Sequence, residues 1–192
     1  MNLLHAINAG EKAPEEVNVV VENCKGSSNK IEYDREKNVF KLDRVLYSAV
    51  YWPFEYGFIP QTWSEDEDPL DICVLITHPT FPGCVIKARP IGVIKLEDEH
   101  GLDSKILAVA TEDPVYSYDH VCTGIRDVPS HILREIREFF ETYKRLEPGK
   151  WVKVKGWGDA KEAKELIVKA MKAYEKKFKK KKTQKRKKRS KR

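Results

Sequence analysis

The 192-residue sequence predicts a mainly β, α+β fold, on three observations. Its first two-thirds hold short segments rich in β-branched and aromatic residues, set apart by polar turns. Its two convincing helical patterns both fall after residue 128. Strands first and helices last, without strand–helix–strand alternation, point to an antiparallel sheet or small barrel with helices against it.

The elements follow in order. VNVVVE (17–22), KIEYD (30–34) and VFKLDRVL (39–46) read as strands, divided by turns such as CKGSSN (24–29). GFIPQTW (57–63), DICVLIT (71–77), VIKARPIGVIKLED (85–98) and KILAVA (105–110) continue the series. Pro90 inside the long run predicts a bend or bulge, because proline cannot donate to a ladder. WVKVKGW (151–157) alternates well enough to be a further strand. Pro129 suits a first helical turn, and Ile132, Ile136, Phe139, Phe140 and Tyr143 then recur at helical spacing. The second helix opens at Asp159 with Glu162 three residues on, a capping-box pattern. Its apolar stripe is Leu166, Ile167, Ala170, Met171, Tyr174 and Phe178. The sequence therefore divides into one domain over 1–178 and a basic, low-complexity, disordered tail over 179–192.

With 41% hydrophobic residues the chain can bury one sizeable core. No apolar run approaches the ~20 residues a membrane helix needs. MNLLHAINAG lacks the basic and apolar regions of a signal peptide, so a cytoplasmic location is expected. Cys24, Cys73, Cys84 and Cys122 form no CxxC pair and no zinc spacing, and read as small buried thiols. The net charge of +6 hides a division: residues 172–192 carry +13 and residues 1–171 carry −7. An acidic body does not suit a general polyanion binder, whose sequence-independent affinity comes from Lys and Arg. It leaves room for a site where acids hold cations and bases hold phosphate. The tail reads as a solvated extension or as an electrostatic tether to nucleic acid, polyphosphate or anionic membrane.

Residues 65–74, EDEDPLDICV, gather acids at a strand entrance. Asp66 and Asp68, two apart, point the same way in an extended segment. Asp71 has the opposite parity, and Pro69 can turn the chain to bring it round. Carboxylates this close repel unless they are paired or bound to a cation. Oxygen ligands without nearby His or Cys favour magnesium, manganese or calcium over zinc. Taken alone, a solvated acidic turn is the plainer reading. KLEDEHGLDSK (95–105) adds Asp98, Glu99 and Asp103 in a loop between two strands, without an EF-hand framework. Lys30, Arg44, Tyr56, Lys105, Tyr143 and Lys144 adjoin strands or helix ends. Each alone is a routine surface residue; beside metal-binding acids they suit a phosphate substrate. Neither a P-loop nor a Rossmann glycine fingerprint is present.

EDEDPLDICV resembles the D-x-D-P-x-D signature of the soluble, bacterial-type family I inorganic pyrophosphatases. VVVE with Glu22, NKIEYD with Lys30 and Glu32, LDR with Arg44, and EYGFIPQT with Tyr56 match family segments in order. So do VIKARPIGVIKLEDEHGLDSK, YDH (118–120), FFETYK (139–144) and KWVKVKGW (150–157), a likeness covering about residues 15–175. It implies a closed five-stranded OB-type barrel with flanking helices. It also implies hydrolysis of pyrophosphate to two orthophosphates by direct attack of a metal-activated water. Several Mg2+ ions per site are implied, with Mn2+ as a substitute.

By the same resemblance Asp66, Asp71 and Asp103 bind the metals that generate the nucleophile. Asp98 and Glu32 hold metals arriving with substrate, with Glu22 close by. Asp68 is the implied general base. Lys30, Arg44, Tyr143 and Lys144 grip the phosphates, while Tyr56 and Lys105 complete the polar wall, Tyr56 with a catalytic part. His120 in YDH reads as structural. A homohexamer is expected from the bacterial-type members. The sequence departs from the pattern at Trp52, where many members carry tyrosine before the proline of YP-x-x-YG. The competing reading is an OB-fold nucleic-acid binder without catalysis. Its weakness is that the strands carry acids where a polyanion groove should be basic.

Overall fold

The computed structural model of the protein describes residues 1–117 and 122–179; His120 and the tail from residue 180 lie outside them. Its strands are β1 (Val17–Asn23), β2 (Asn29–Asp34), β3 (Val39–Val45), β4 (Glu55–Phe58), β5 (Asp71–Leu75), β6 (Val85–Asp98), β7 (Gly101–Ala110) and β8 (Val152–Asp159). The helices are α1 (Leu3–Ala6), α2 (Pro114–Ser117), α3 (Ser130–Thr142) and α4 (Ala160–Tyr174). The fold is α+β and mainly β. Among the described residues no helix is long and apolar enough to cross a membrane.

Two spans differ from the sequence expectation. The strand anticipated at 57–63 is shifted to Glu55–Phe58. Pro60 has no N–H for a ladder, and Gln61 takes a φ of +53°, so the chain turns out of the sheet after Phe58. The acidic loop anticipated between the strands at 85–98 and 105–110 is mostly strand, with β7 starting at Gly101. Asp98 pairs with Gly101 and Asp103 with Leu96, so only residues 99 and 100 form the turn. A two-residue connection is enough to reverse antiparallel strands, and polar composition does not prevent pairing.

β1 pairs antiparallel with both β4 and β6. β4 continues to β5, β5 runs parallel to β7, and β7 pairs antiparallel with β6. The pairings therefore return to β1, while β8 adds to the outer half of β6. The register of β6 on β7 shifts between Pro90 and Gly92, the bulge that Pro90 predicts. β2 and β3 form a separate hairpin.

Apolar residues fill both sides of these pairings. Ile136, Phe139 and Phe140 of α3 pack with Trp52, Phe54 and Leu107. Ala163, Ile167 and Ala170 of α4 pack with Val19, Ile72 and Ile106. Each fully buried Ile or Phe contributes about 1.5–3 kcal/mol relative to exposure. At the start of α4, Asp159 Oδ1 accepts from Glu162 N–H at 2.9 Å, so the cap forms. The Glu162 carboxylate goes to Lys95 at 2.8 Å, so the return half of the capping box is replaced by a bond to β6. Cys73 and Cys122 are buried, but Cys24 and Cys84 are only half-buried; all four are free thiols.

Candidate active site

The site begins with backbone packing. A Cβ at Gly57 would lie 1.9 Å from the Val20 carbonyl oxygen, so only glycine lets β4 lie this close to β1. That approach places Tyr56 beside β5, where its hydroxyl donates to Asp71 Oδ2 at 2.6 Å. Lys105 of β7, 5% exposed, donates to the same oxygen at 2.6 Å and reaches Asp103 at 2.9 Å. Three adjoining strands thus supply Tyr56, Asp71, Lys105 and Asp103 as one bonded group.

Asp66 and Asp68 reach this group from a curled turn, not from the extended segment that the two-residue spacing suggests. Asp66 Oδ1 accepts from Asp68 N–H at 3.2 Å, and Ser64 N–H donates to Asp68 O at 2.8 Å. Short acidic side chains favour such local turns over a strand. Glu67, between the two aspartates, takes a φ of +66°, the left-handed region. Glu65 and Glu67 point outward to Lys169 and Lys177, at 2.7 and 3.1 Å.

The turn closes one end of a cleft of about 500 Å³ lined also by Glu22, Lys30, Glu32, Tyr56 and Asp71. Glu22 accepts from Tyr33 N–H at 2.7 Å, and buried Asn23 accepts from Ile31 N–H at 2.6 Å, which fixes β2 against β1. Lys30 is bonded to Glu32 and lies 3.3 Å from Asp43.

A second group carries the remaining bases. Arg44 is held by Asp43 and by buried Glu147, the latter at 2.8 Å. Lys144 reaches Asp98 at 3.1 Å. Tyr143 is buried against Phe139, with ring centroids 5.2 Å apart. Trp52 lies beneath the site: its ring is 5.0 Å from Tyr56 and 6.3 Å from Tyr143, and its Nε1–H donates to Asn29 O at 2.9 Å. An indole here supports both phenols from behind.

The two groups differ electrostatically. Burial raises the Glu22 carboxyl to about 8, against the Tyr33 N–H bond and with help from the Asp71 charge. Lost hydration raises Asp66, opposed by its bond from Asp68 N–H; the same loss raises Asp68, opposed by the Arg35 charge. Burial and the Asp71 charge hold the Tyr56 phenol well above its ordinary range, so it stays a donor. Burial opposes the Lys105 charge, but Asp71 and its neighbours outweigh it and hold the ammonium well above the usual range. In the second group Asp98 and Glu147 lie below the ordinary carboxyl range: burial opposes ionisation, and hydrogen bonds and cations overcome it.

Among the described residues no three carboxylate, imidazole or thiolate groups form a ready-made metal cage. The donor chemistry nevertheless fits hard divalent cations. Among the residues lining the cleft, Glu22, Glu32, Asp34, Glu36, Asp66, Asp68 and Asp71 outnumber Lys30, Arg35 and Lys41, with Lys105 added at Asp71. The raised carboxyls are those for which this compensation is incomplete.

Sequence reasoning passes over Arg35, Asp43, Trp63 and Glu147. Arg35 stands 2.7 Å from Asp68. Glu147 holds Arg44 from 103 residues away, a partnership no local spacing signals.

The inorganic pyrophosphatase family model matches residues 19–175. An inorganic pyrophosphatase of Saccharolobus solfataricus is 49% identical over 165 residues, covering 86% of this chain and 95% of that protein. The Thermus thermophilus enzyme is 50% identical over 164 residues, covering 84% and 92% of the two chains. A crystal structure of inorganic pyrophosphatase from Thermus thermophilus superposes with a TM-score of 0.87 at 47% identity, over 91% of this chain and 99% of that one. With a matched core that includes Glu22, the DEDPLD turn and Lys144, the chain belongs to the inorganic pyrophosphatase family.

Proposed function

We propose that this chain hydrolyses pyrophosphate to two orthophosphates, with magnesium as the natural cofactor and manganese as a substitute. The observation that carries the reading is the cleft's excess of carboxylate beside a shelf of paired Lys and Arg. Asp66, Asp71 and Asp103 would hold cations at the bonded group, and Asp98, Glu32 and Glu22 would hold those that enter with substrate. Bound divalent cations lower the pKa of water toward neutrality and screen phosphate charge.

The chain's own residues do the rest. Asp68 is the base that takes the proton of the attacking water, and its raised affinity for a proton suits that task. Tyr56 and Lys105 fix the Asp71 carboxylate through their two bonds. Lys30, Arg44, Tyr143 and Lys144 bind phosphate oxygens, the three cations exchanging present carboxylate partners for substrate. No covalent phosphoenzyme is required.

The fold reading extends the same way. The pairing circuit β1–β4–β5–β7–β6–β1 supports a closed five-stranded barrel of OB type, with residues 1–178 as one domain. Exposed Val39, Leu42, Val45 and Tyr47 support self-association, proposed as a homohexamer. A cytoplasmic location fits the four free thiols. The basic stretch 179–192 is proposed as a weak contact to nucleic acid; RNA retention unchanged by its deletion across a salt series would refute it.

The test is orthophosphate release from pyrophosphate, with and without magnesium, by the unmodified protein and by Asp68→Asn. Metal-dependent release that falls at least about 100-fold in Asp68→Asn is expected. No metal-dependent release from the unmodified protein ends the hydrolase reading. Full activity in Asp68→Asn leaves the hydrolase standing and removes Asp68 as base.

A further inference from the structure

We propose that Arg35 is a positioning residue for the reaction, fixing the Asp68 carboxylate, and that Trp63 and Lys177 fix Arg35 and its turn in place. The inference rests on Asp68 being the base. Arg35 belongs to the turn between β2 and β3, remote in sequence from the acidic stretch it reaches. Its Nη2 lies 2.7 Å from Asp68 Oδ1, and its Nη1 donates to the Glu67 carbonyl at 3.3 Å. Its guanidinium carbon lies 5.0 Å from the centre of the Trp63 ring. One planar group therefore meets a charge, a backbone oxygen and an aromatic face, which a lysine ammonium cannot do together.

The support continues behind Trp63. Its N–H donates to the Ala170 carbonyl of α4 at 3.0 Å. Lys177 Nζ stands 3.9 Å from the ring centre and 3.1 Å from the Glu67 carboxylate. Phe178 meets the ring edge-on, with centroids 5.0 Å apart. Hairpin, turn, α4 and the helical segment Glu175–Lys179 that follows it thus converge on Trp63.

The clamp has something to hold. Glu67 sits in the left-handed region, which a non-glycine residue adopts only against steric strain. Asp68 is 60% exposed and would otherwise sample several rotamers. Fixing it from the side opposes both losses, without any required contact between Arg35 and the substrate.

The experiment measures kcat and KM for pyrophosphate with saturating magnesium, in Arg35→Met, Arg35→Lys and Trp63→Leu, each referred to folded protein by thermal melting. Arg35→Met is expected to lower kcat about tenfold with KM within about twofold, inside the hundredfold that a 1 Å misplacement can cost. Arg35→Lys and Trp63→Leu are expected to lose about threefold, since each keeps part of the clamp. In the Asp68→Asn background, Arg35→Met is expected to change the residual rate by less than about twofold.

A rise in KM at unchanged kcat would make Arg35 a substrate ligand and overturn the proposal. So would an equal fall in both backgrounds, a kcat for Arg35→Lys as low as that for Arg35→Met, or an unchanged kcat per folded molecule. If the Asp68→Asn rate lies below detection, the comparison of Arg35→Lys with Arg35→Met decides alone. Full activity in Asp68→Asn instead removes the underlying role of Asp68, an outcome distinct from the others.

Discussion

Glu22, Asp66 and Asp68 line the turn side of the cleft and hold their protons more tightly than ordinary carboxyls. Asp43, Asp98 and Glu147, on the shelf of β3, β6 and the turn after α3, hold theirs less tightly. Both sets experience burial that disfavours charge. The difference is in their partners. Asp43, Asp98 and Glu147 each meet Lys or Arg at bonding distance, while Glu22 and Asp66 accept from backbone N–H groups among acidic neighbours, and Arg35 at 2.7 Å offsets only part of the lost hydration at Asp68. One side is short of cations, and the other uses acids to hold bases where phosphate would arrive.

Lys105 sits at the seam, and its replacement should produce the largest effect. Lys105→Met leaves Asp71 and Asp103 without their buried cation. We expect a loss of about 3 kcal/mol in the metal-free protein, measured by urea unfolding, at the low end because both carboxylates keep some solvent. Magnesium should restore part of this and raise stability more in the variant than in the unmodified protein. Equal magnesium effects in the two proteins would break the comparison.

Glu147→Gln tests the shelf. Loss of a charged bond to Arg44 should cost about 2 kcal/mol at neutral pH. The Glu147 carboxyl lies below its usual 4.5, so its stabilisation is present above that value and fades as pH falls through the lower, folded-state value. The gap between variant and unmodified protein should close in acid; a constant gap would mean that charge is not its cause.

Glu22→Gln tests the opposite sign. In metal-free protein the unfolded carboxyl ionises near 4.5 but the folded one near 8, so ionisation destabilises the fold progressively across that interval. Linkage alone would give about 5 kcal/mol, but Glu22 is only half-buried and solvent screens much of that, so the variant should be more stable by about 1–2 kcal/mol above pH 8, with the advantage gone below pH 4.5. A variant less stable at pH 9 would contradict incomplete compensation.

The sequence made the β6 pattern legible because alternation and Pro90 are local signals, and the bulge lies where proline withholds its N–H. Helix α4 was equally legible through Asp159 and its apolar stripe. Asp98 and Asp103 read as loop in the sequence because acidity outweighs pairing there, although strand faces open to water accept charge. The site's family residues were found through ordered motifs. Arg35 and Glu147 were not, because their partners come close only after β2, β3 and α3 have packed.

The length of β6 has an evolutionary consequence. Val85–Ala88 pairs with β1 and Gly92–Asp98 with β8, while β7 follows nearly the whole strand. One inserted or deleted residue past the bulge would turn Lys95 and Asp98 to the opposite face and offset two neighbours together. Lineages can exchange side chains along this strand far more readily than they can change its length. Variation in length is left to segments such as residues 77–84, where no such double register applies.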